Sequence, residues 1–150
     1  MNLKLTIILV FVFSFSLFSG TTRSTSFEDF FSMQRLGSVV LSPDKNKVAY
    51  TLTTPDIVDN SFKTDIYLLD LKNMKSSKFS NCEKSSSGPV WSPDGQYLYF
   101  NRGGQIWKQA LKGGEANQVT DFGPGAGGLV FSEDGKQMLF STEVYPDCET

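Results

Sequence analysis

Three gapless copies of one pattern constrain this chain more than any other feature. They read LSPDKNKVAYT from Leu41, WSPDGQYLYFN from Trp91 and FSEDGKQMLFS from Phe131, with serines Ser42, Ser92 and Ser132 spaced 50 and 40 residues apart. Each copy places an apolar residue and a serine before a tight turn, then a strand of apolar and aromatic residues. Strand-bearing repeats of 40 to 50 residues are the signature of a β-propeller, one repeat per four-stranded blade. In Ser92-Pro93-Asp94-Gly95 the proline presets φ, the aspartate satisfies nearby backbone donors, and the glycine accepts the positive φ that re-enters a strand. The first copy has Lys45 in place of that glycine and then Asn46, a residue that tolerates the left-handed region. The third has Glu133 in place of proline and keeps Gly135. Asp44, Asp94 and Asp134 are therefore turn residues, not ligands.

Further segments complete the blades. DIYLLDL from Asp65 and QIWKQAL from Gln105 supply third strands, and each is followed by a turn into a short outer strand. Blade one is expected over residues 37 to 80 and blade two over 88 to 121. A third begins near Gly127 and stops after its second strand. Thr54 to Lys63 reads as a long polar loop that accounts for the wider first spacing. The expected fold is all-β: an incomplete β-propeller of two blades and part of a third, occupying 37–150, behind a signal peptide and a short helix. Trp91 and Trp107 fall at positions of blade-to-blade packing.

The helix is expected over 26–36, with Ser26 as N-cap, Glu28 and Asp29 in the first turn and Gly37 ending it. Phe27, Phe30 and Phe31 share a face suited to packing on the propeller. A membrane-surface role is the weaker reading, because the polar face lacks lysines. Residues 1–21 have the layout of a secretory signal: Lys4, an apolar run from Leu5 to Phe18, then Ser19, Gly20 and Thr21. An uncleaved anchor is the competing reading, but the run is short of the roughly 20 apolar residues that span a bilayer. The protein is expected to be secreted or periplasmic, with no stable membrane span after the signal is removed.

Chemistry is bounded by what is missing. The chain has no histidine, so no Ser–His–Asp or Cys–His arrangement can be assembled from it. No G-x-S-x-G elbow occurs. Gly123 to Gly128 is glycine-rich but lacks a P-loop lysine and leads into a strand, so it reads as the connection between blades. Fourteen basic and 16 acidic side chains, scattered, give a net charge of −2 and argue against nucleic acid as partner. No catalytic residue, cofactor site or metal site is expected, since two isolated cysteines cannot complete a zinc shell. Cys148 is a candidate for a disulfide with a partner beyond the chain end. A bond to Cys82 would have to reach past the whole second blade, whereas disulfide geometry needs Cα atoms within about 7 Å.

The segment MQRLGSVVLSPDKNKVAYTLTTPDIVDNSFKTDIYLLDL, followed by GPVWSPDGQYLYF, GGEANQVTDF and FSTEVYPDC, resembles the propeller of the prolyl oligopeptidase family of serine peptidases. The similarity leans towards its dipeptidyl-peptidase 5 and acylaminoacyl-peptidase-like members and covers residues 27 to 150. The resemblance implies a propeller that caps an α/β-hydrolase domain in cis, carrying a Ser–Asp–His triad and acting on peptide substrates. None of the triad residues has a counterpart in these 150 residues. SPDG repeats also occur in TolB-type propellers, so a non-enzymatic binding or scaffold propeller is the alternative. The missing turn glycine in the first copy and the end inside blade three are departures that a fragment, a truncated gene model or a degenerate copy would share. Two and a half blades cannot close a ring, so the isolated chain is expected to be aggregation-prone or only partly folded.

Overall fold

A computed structural model describes residues 23–144. The expected signal segment and Cys148 lie outside the described residues. The chain separates into a short leading unit ending at Phe30 and a larger one beginning at Phe31.

The helix is shorter than expected. α1 covers Phe27–Phe31. Ser26 Oγ accepts from the Asp29 amide at 3.2 Å while Asp29 Oδ2 accepts from the Ser26 amide at 2.9 Å. This reciprocal pair is a capping box with aspartate at its third position. The helix does not run on to residue 36, because Arg35 and Leu36 already pair with Thr53 and Leu52. Gly37 is not its terminator. It sits at a bulge in the first strand, where a Cβ would meet Thr51 Oγ1 at 2.5 Å.

Two four-stranded antiparallel sheets and one hairpin follow in chain order. Blade one is β1 (Arg35–Leu41), β2 (Lys47–Asp56), β3 (Ser61–Asp70) and β4 (Lys75–Lys78). Blade two is β5 (Ser86–Trp91), β6 (Tyr97–Arg102), β7 (Gln105–Ala110) and β8 (Asn117–Gln118). β9 (Gly127–Phe131) and β10 (Met138–Ser141) pair as the start of blade three. Sheets of sequential strands stacked on one another in this way form an incomplete β-propeller.

The segment expected to be a polar loop in blade one is instead mostly strand. Thr54 pairs with Lys63, Pro55 with Phe62 and Asp56 with Ser61, leaving a turn at Ile57–Asn60. Asp56 Oδ1 accepts from the amides of Val58 and Asp59 and closes that turn. Threonine and phenylalanine suit a pleated surface. Pro55 lies beyond Thr53, where β1 no longer pairs with β2, and an open edge is where a sheet tolerates proline. The first spacing is therefore wider because this hairpin is longer, with strands of 10 residues where blade two has 6.

Blade two is covered on both faces. Trp91, Leu98 and Phe100 pack with Ala49 and Ile66 of blade one, with Val40, Leu68 and Trp107 alongside. On the other face Ile106 packs with Ala126 and Leu129, joined by Tyr99, Phe131, Met138 and Phe140. Phe79 meets Phe100 edge-on at 6.4 Å between ring centroids, and Tyr99 meets Phe131 at 5.1 Å. Both tryptophans thus take part in blade packing, Trp91 buried and Trp107 half-buried. The glycine-rich stretch is the connection between blades: Ala126 donates to the Gly104 carbonyl at 2.8 Å and leads into β9.

Candidate functional site

The polar residues most clearly placed by sequence are the three turn serines and aspartates, and each trio has the same geometry. Ser42 Oγ donates to Asp44 Oδ1 at 2.6 Å, Ser92 Oγ to Asp94 at 2.5 Å and Ser132 Oγ to Asp134 at 2.6 Å. Each serine Oγ also accepts the amide five residues on at 2.9 Å, from Lys47, Tyr97 and Gln137. Each aspartate accepts the amide two residues on, from Asn46, Gln96 and Lys136. These bonds favour the carboxylate, with the serine hydroxyl the largest contributor in every case. Asp44 is held down to about 2, and Asp94 and Asp134 lie below the usual carboxylate range.

The left-handed position in the first turn falls on Lys45, at φ 58°, and not on Asn46. The reason is register. The Lys45 amide donates to the Ser42 carbonyl at 2.9 Å, as Gly95 does to Ser92 and Gly135 to Ser132. Asn46 is held in place by the Asp44 carboxylate.

A second polar constellation escaped the sequence reading. Asp65 is 7% exposed, accepts from Ser80 Oγ at 3.0 Å and pairs with Lys78 Nζ at 2.7 Å. Ser80 Oγ in turn accepts from the Ile66 amide at 2.9 Å. Blade two repeats it with neutral groups: Thr120 Oγ1 donates to Gln105 Oε1 at 2.8 Å and accepts from the Ile106 amide at 2.9 Å. The signal was a recurring spacing of 15 residues, from Asp65 to Ser80 and from Gln105 to Thr120, visible once third strands are aligned with outer strands. The hydrogen bond that Lys78 donates to the Asp65 carboxylate raises the pKa of its ammonium above the ordinary range.

Two clefts open beside these blades. One, of about 380 Å³, includes Asn81, Cys82, Arg102 and Glu115 in its wall. Cys82 is a free, half-buried thiol. Arg102 Nε donates to Ser86 Oγ at 3.1 Å, and its guanidinium lies 4.9 Å from the Phe100 ring and 5.4 Å from Trp107. That side chain is committed to clamping β5, β6 and β7 together. The other cleft, of about 330 Å³, lies between Gly104, the Pro124–Gly127 connection and Glu143.

The polar side chains named above are engaged in turns and in contacts within the blades. Every carboxyl whose affinity for protons shifts is shifted downwards: Glu28, Asp29, Asp44, Asp70, Asp94 and Asp134. A general acid or base works best near the operating pH, so these groups stay anionic acceptors. Among the described residues no three potential metal ligands cluster. Nor is any helix among them long and apolar enough to cross a membrane.

Known proteins share these blades. Residues 42–134 match the family described as the dipeptidyl peptidase IV (DPP IV) N-terminal region. Dipeptidyl-peptidase 5 of Porphyromonas endodontalis is 28% identical over 117 residues, which are 75% of this chain and 17% of that protein. The acylaminoacyl peptidase of Pyrococcus horikoshii superposes with a TM-score of 0.66 at 24% identity, over 80% of this chain and 19% of that one. A putative TolB from Agrobacterium tumefaciens superposes with a TM-score of 0.53 at 30% identity, over 67% of this chain and 35% of that one. The chain therefore spans less than a fifth of the length of these two peptidases. With a match that runs from the turn before β2 in blade one to the turn after β9 in blade three, more than half of its length, the chain belongs to the family of dipeptidyl peptidase IV N-terminal regions.

Proposed function

We propose that this chain is the non-catalytic propeller portion of an exported serine exopeptidase of the dipeptidyl-peptidase or acylaminoacyl-peptidase kind. Its blades gate the access of peptides to an α/β-hydrolase domain carried elsewhere in the longer protein. The family match over 42–134 is the observation that carries the reading. It is supported by a sequence without histidine and by polar side chains committed to turns and blade clamps. A chimaera tests it, in which residues 35–142 replace the matching segment of the Porphyromonas endodontalis dipeptidyl-peptidase 5. The chimaera releases dipeptides from short peptides and spares folded proteins. Loosening the blade contact by Trp91→Ala raises cleavage of long polypeptides relative to dipeptide amides. A folded chimaera without activity, or one whose size selection ignores the Trp91 change, overturns the gating role. In the same reading the chain by itself hydrolyses neither peptide nor ester.

Export belongs to the same proposal. The leading segment directs secretion and its first 20 to 24 residues are removed, so the exported protein begins between residues 21 and 25. Amino-terminal sequencing checks this, and a mature protein that still starts at Met1 contradicts it. The 30% identity to a TolB-type structure supports a second reading, a binding or scaffold propeller without a hydrolase partner. A folded but inactive chimaera favours that reading.

A further inference from the structure

The central hairpins of blades one and two differ in height, and the step between them forms a notch above blade two. Both blades have all four strands among the described residues. In blade two, β6 and β7 close through Gly103 and Gly104, a two-residue turn with φ of 58° and 74°. In blade one, β2 and β3 are 10 residues long where β6 and β7 are 6. The pair Leu52 and Asp65 stands where blade two has the pair Arg102 and Gln105. Residues 53–56 and 61–64 therefore rise beyond the level of the two glycines, by about 13 Å for strands that climb about 3.3 Å per residue.

The raised part is held in place. The Thr53 and Thr64 hydroxyls share a bond of 2.8 Å, and the Thr64 amide donates to Ser85 Oγ at 3.1 Å. Ala49 and Ile66 face blade two, and the alternation of strand side chains carries that face upward through Thr53 and Thr64 to Pro55 and Phe62. Arg35, paired with Thr53, lies on the same face, its guanidinium 5.2 Å from the centre of the Phe62 ring. Phe31 stacks on that ring at 6.3 Å. Below, Lys84 lies along the glycine turn, its Cδ 3.7 Å from where a Cβ on Gly103 would be. Arg35, Lys84 and Arg102 form no ion pair among the described residues. The notch thus has a glycine floor, an aromatic wall and three cations without a carboxylate.

Resting on the gating role above, we propose that peptides pass through this notch, which favours extended chains with acidic side chains while the raised hairpin turns bulkier polypeptides away. An extended chain, about 5 by 10 Å in cross-section, fits beneath a step of this height, and a folded domain does not. The glycine floor lets its backbone come close. Phe62 offers it an apolar ring, and the unpaired cations draw its carboxylates.

A chimaera carrying residues 31–142 in the Porphyromonas endodontalis dipeptidyl-peptidase 5 tests this. Peptides of equal length, acidic or basic beyond the cleaved dipeptide, are compared by kcat/KM, each relative to a dipeptide amide. The acidic peptide is preferred, and Arg35→Glu lowers the acidic-to-basic ratio by about fivefold, the weight of an exposed charge pair. The preference fades as salt rises. Replacing residues 53–64 by two glycines levels blade one with blade two and raises cleavage of long polypeptides relative to the amide. Should that variant fail to fold by near-ultraviolet dichroism, Phe62→Ala takes its place and lowers kcat/KM for extended peptides relative to the amide. An active chimaera whose size selection responds to Trp91→Ala, but whose charge preference ignores Arg35→Glu or whose selection ignores the hairpin changes, overturns the notch and leaves the gating role standing. A folded chimaera without activity overturns the gating role, and binding of a fluorescent acidic peptide then reads the notch alone. Affinity that falls about fivefold with Arg35→Glu supports the notch, and affinity indifferent to that change overturns it.

Discussion

Trp91 Nε1 donates to the Val40 carbonyl at 3.1 Å, a bond between the innermost strands of two blades 51 residues apart in the chain. The ring is 8% exposed, and its N–H has satisfied a carbonyl of β1 while its face fills the first core. A single side chain thus supplies both packing and polar pairing at the contact between blades one and two. Trp91→Ala is expected to destabilise the blades by about 3–5 kcal/mol, the range for large aromatic truncations in a core. Trp91→Phe keeps most of the ring but removes the bond to the Val40 carbonyl, which remains in the pairing of β1 with β2, at about 0.5–1.5 kcal/mol. Urea unfolding of both variants, followed by tryptophan-independent far-ultraviolet dichroism, checks the order. A Trp91→Phe variant as stable as the unaltered chain would show that the hydrogen bond adds nothing.

The turns of successive blades also touch. A Cβ on Gly135 would lie 2.9 Å from Pro93 Cβ and Cγ, whereas one on Gly95 would meet Pro43 Cδ at 3.8 Å. The two glycines have φ of 68° and 67°, so backbone strain on substitution is common to both sites. Gly135→Ala is therefore expected to destabilise more than Gly95→Ala, and Pro93→Ala is expected to recover part of the difference. Unfolding midpoints of the three single variants and the Pro93/Gly135 pair measure that coupling.

Lys45 carries a left-handed backbone that its two counterparts assign to glycine. A non-glycine residue there stores roughly 1–2 kcal/mol, and glycine gives back roughly 0.5–1 kcal/mol through its freer unfolded chain. Lys45→Gly is thus expected to stabilise blade one by up to about 1 kcal/mol. A lower unfolding midpoint for Lys45→Gly would mean that the lysine side chain contributes something beyond its backbone.

Acid should act through the turns. Asp44 is lowered from 3.8 to about 2, and Asp94 and Asp134 are lowered in the same direction by the same serine bonds. A carboxyl whose folded pKa is depressed contributes stability that is complete above its unfolded pKa and is lost as pH falls through the folded value. The expected loss therefore runs from near pH 4 down to about 2. Ser42→Ala removes the largest cause at Asp44, and its unfolding midpoint should be less sensitive to pH across that window. An unchanged pH dependence would place the acid lability elsewhere.

Turns were legible in the sequence because their determinants lie within a few residues. Ser42, Asp44 and the amides of Asn46 and Lys47 complete a closed set of bonds on their own, and so do their counterparts at Ser92 and Ser132. The period of those turns was enough to specify successive antiparallel blades, and the absence of histidine was enough to exclude triad chemistry from this chain. Local pattern misjudged the segment from Thr54 to Lys63, because polar threonines and a proline look like loop until β3 is there to pair with them. It also assigned the left-handed residue to Asn46, since side-chain preference was weighed without the bond from the Lys45 amide to Ser42 that sets the register. The Asp65–Lys78–Ser80 set needed β3 and the chain after β4 brought side by side.

Burial is what only the tertiary structure decided. Leu41 and Trp91 occupy the same position of the same repeat, yet one is 51% exposed and the other 8%. Their local sequence codes for the same strand and the same turn. The difference is that Trp91 has a blade behind it and Leu41, among the described residues, has none. Strand direction and turn geometry follow from short-range bonds along the chain, whereas the loss of water from a face depends on what the fold stacks against it.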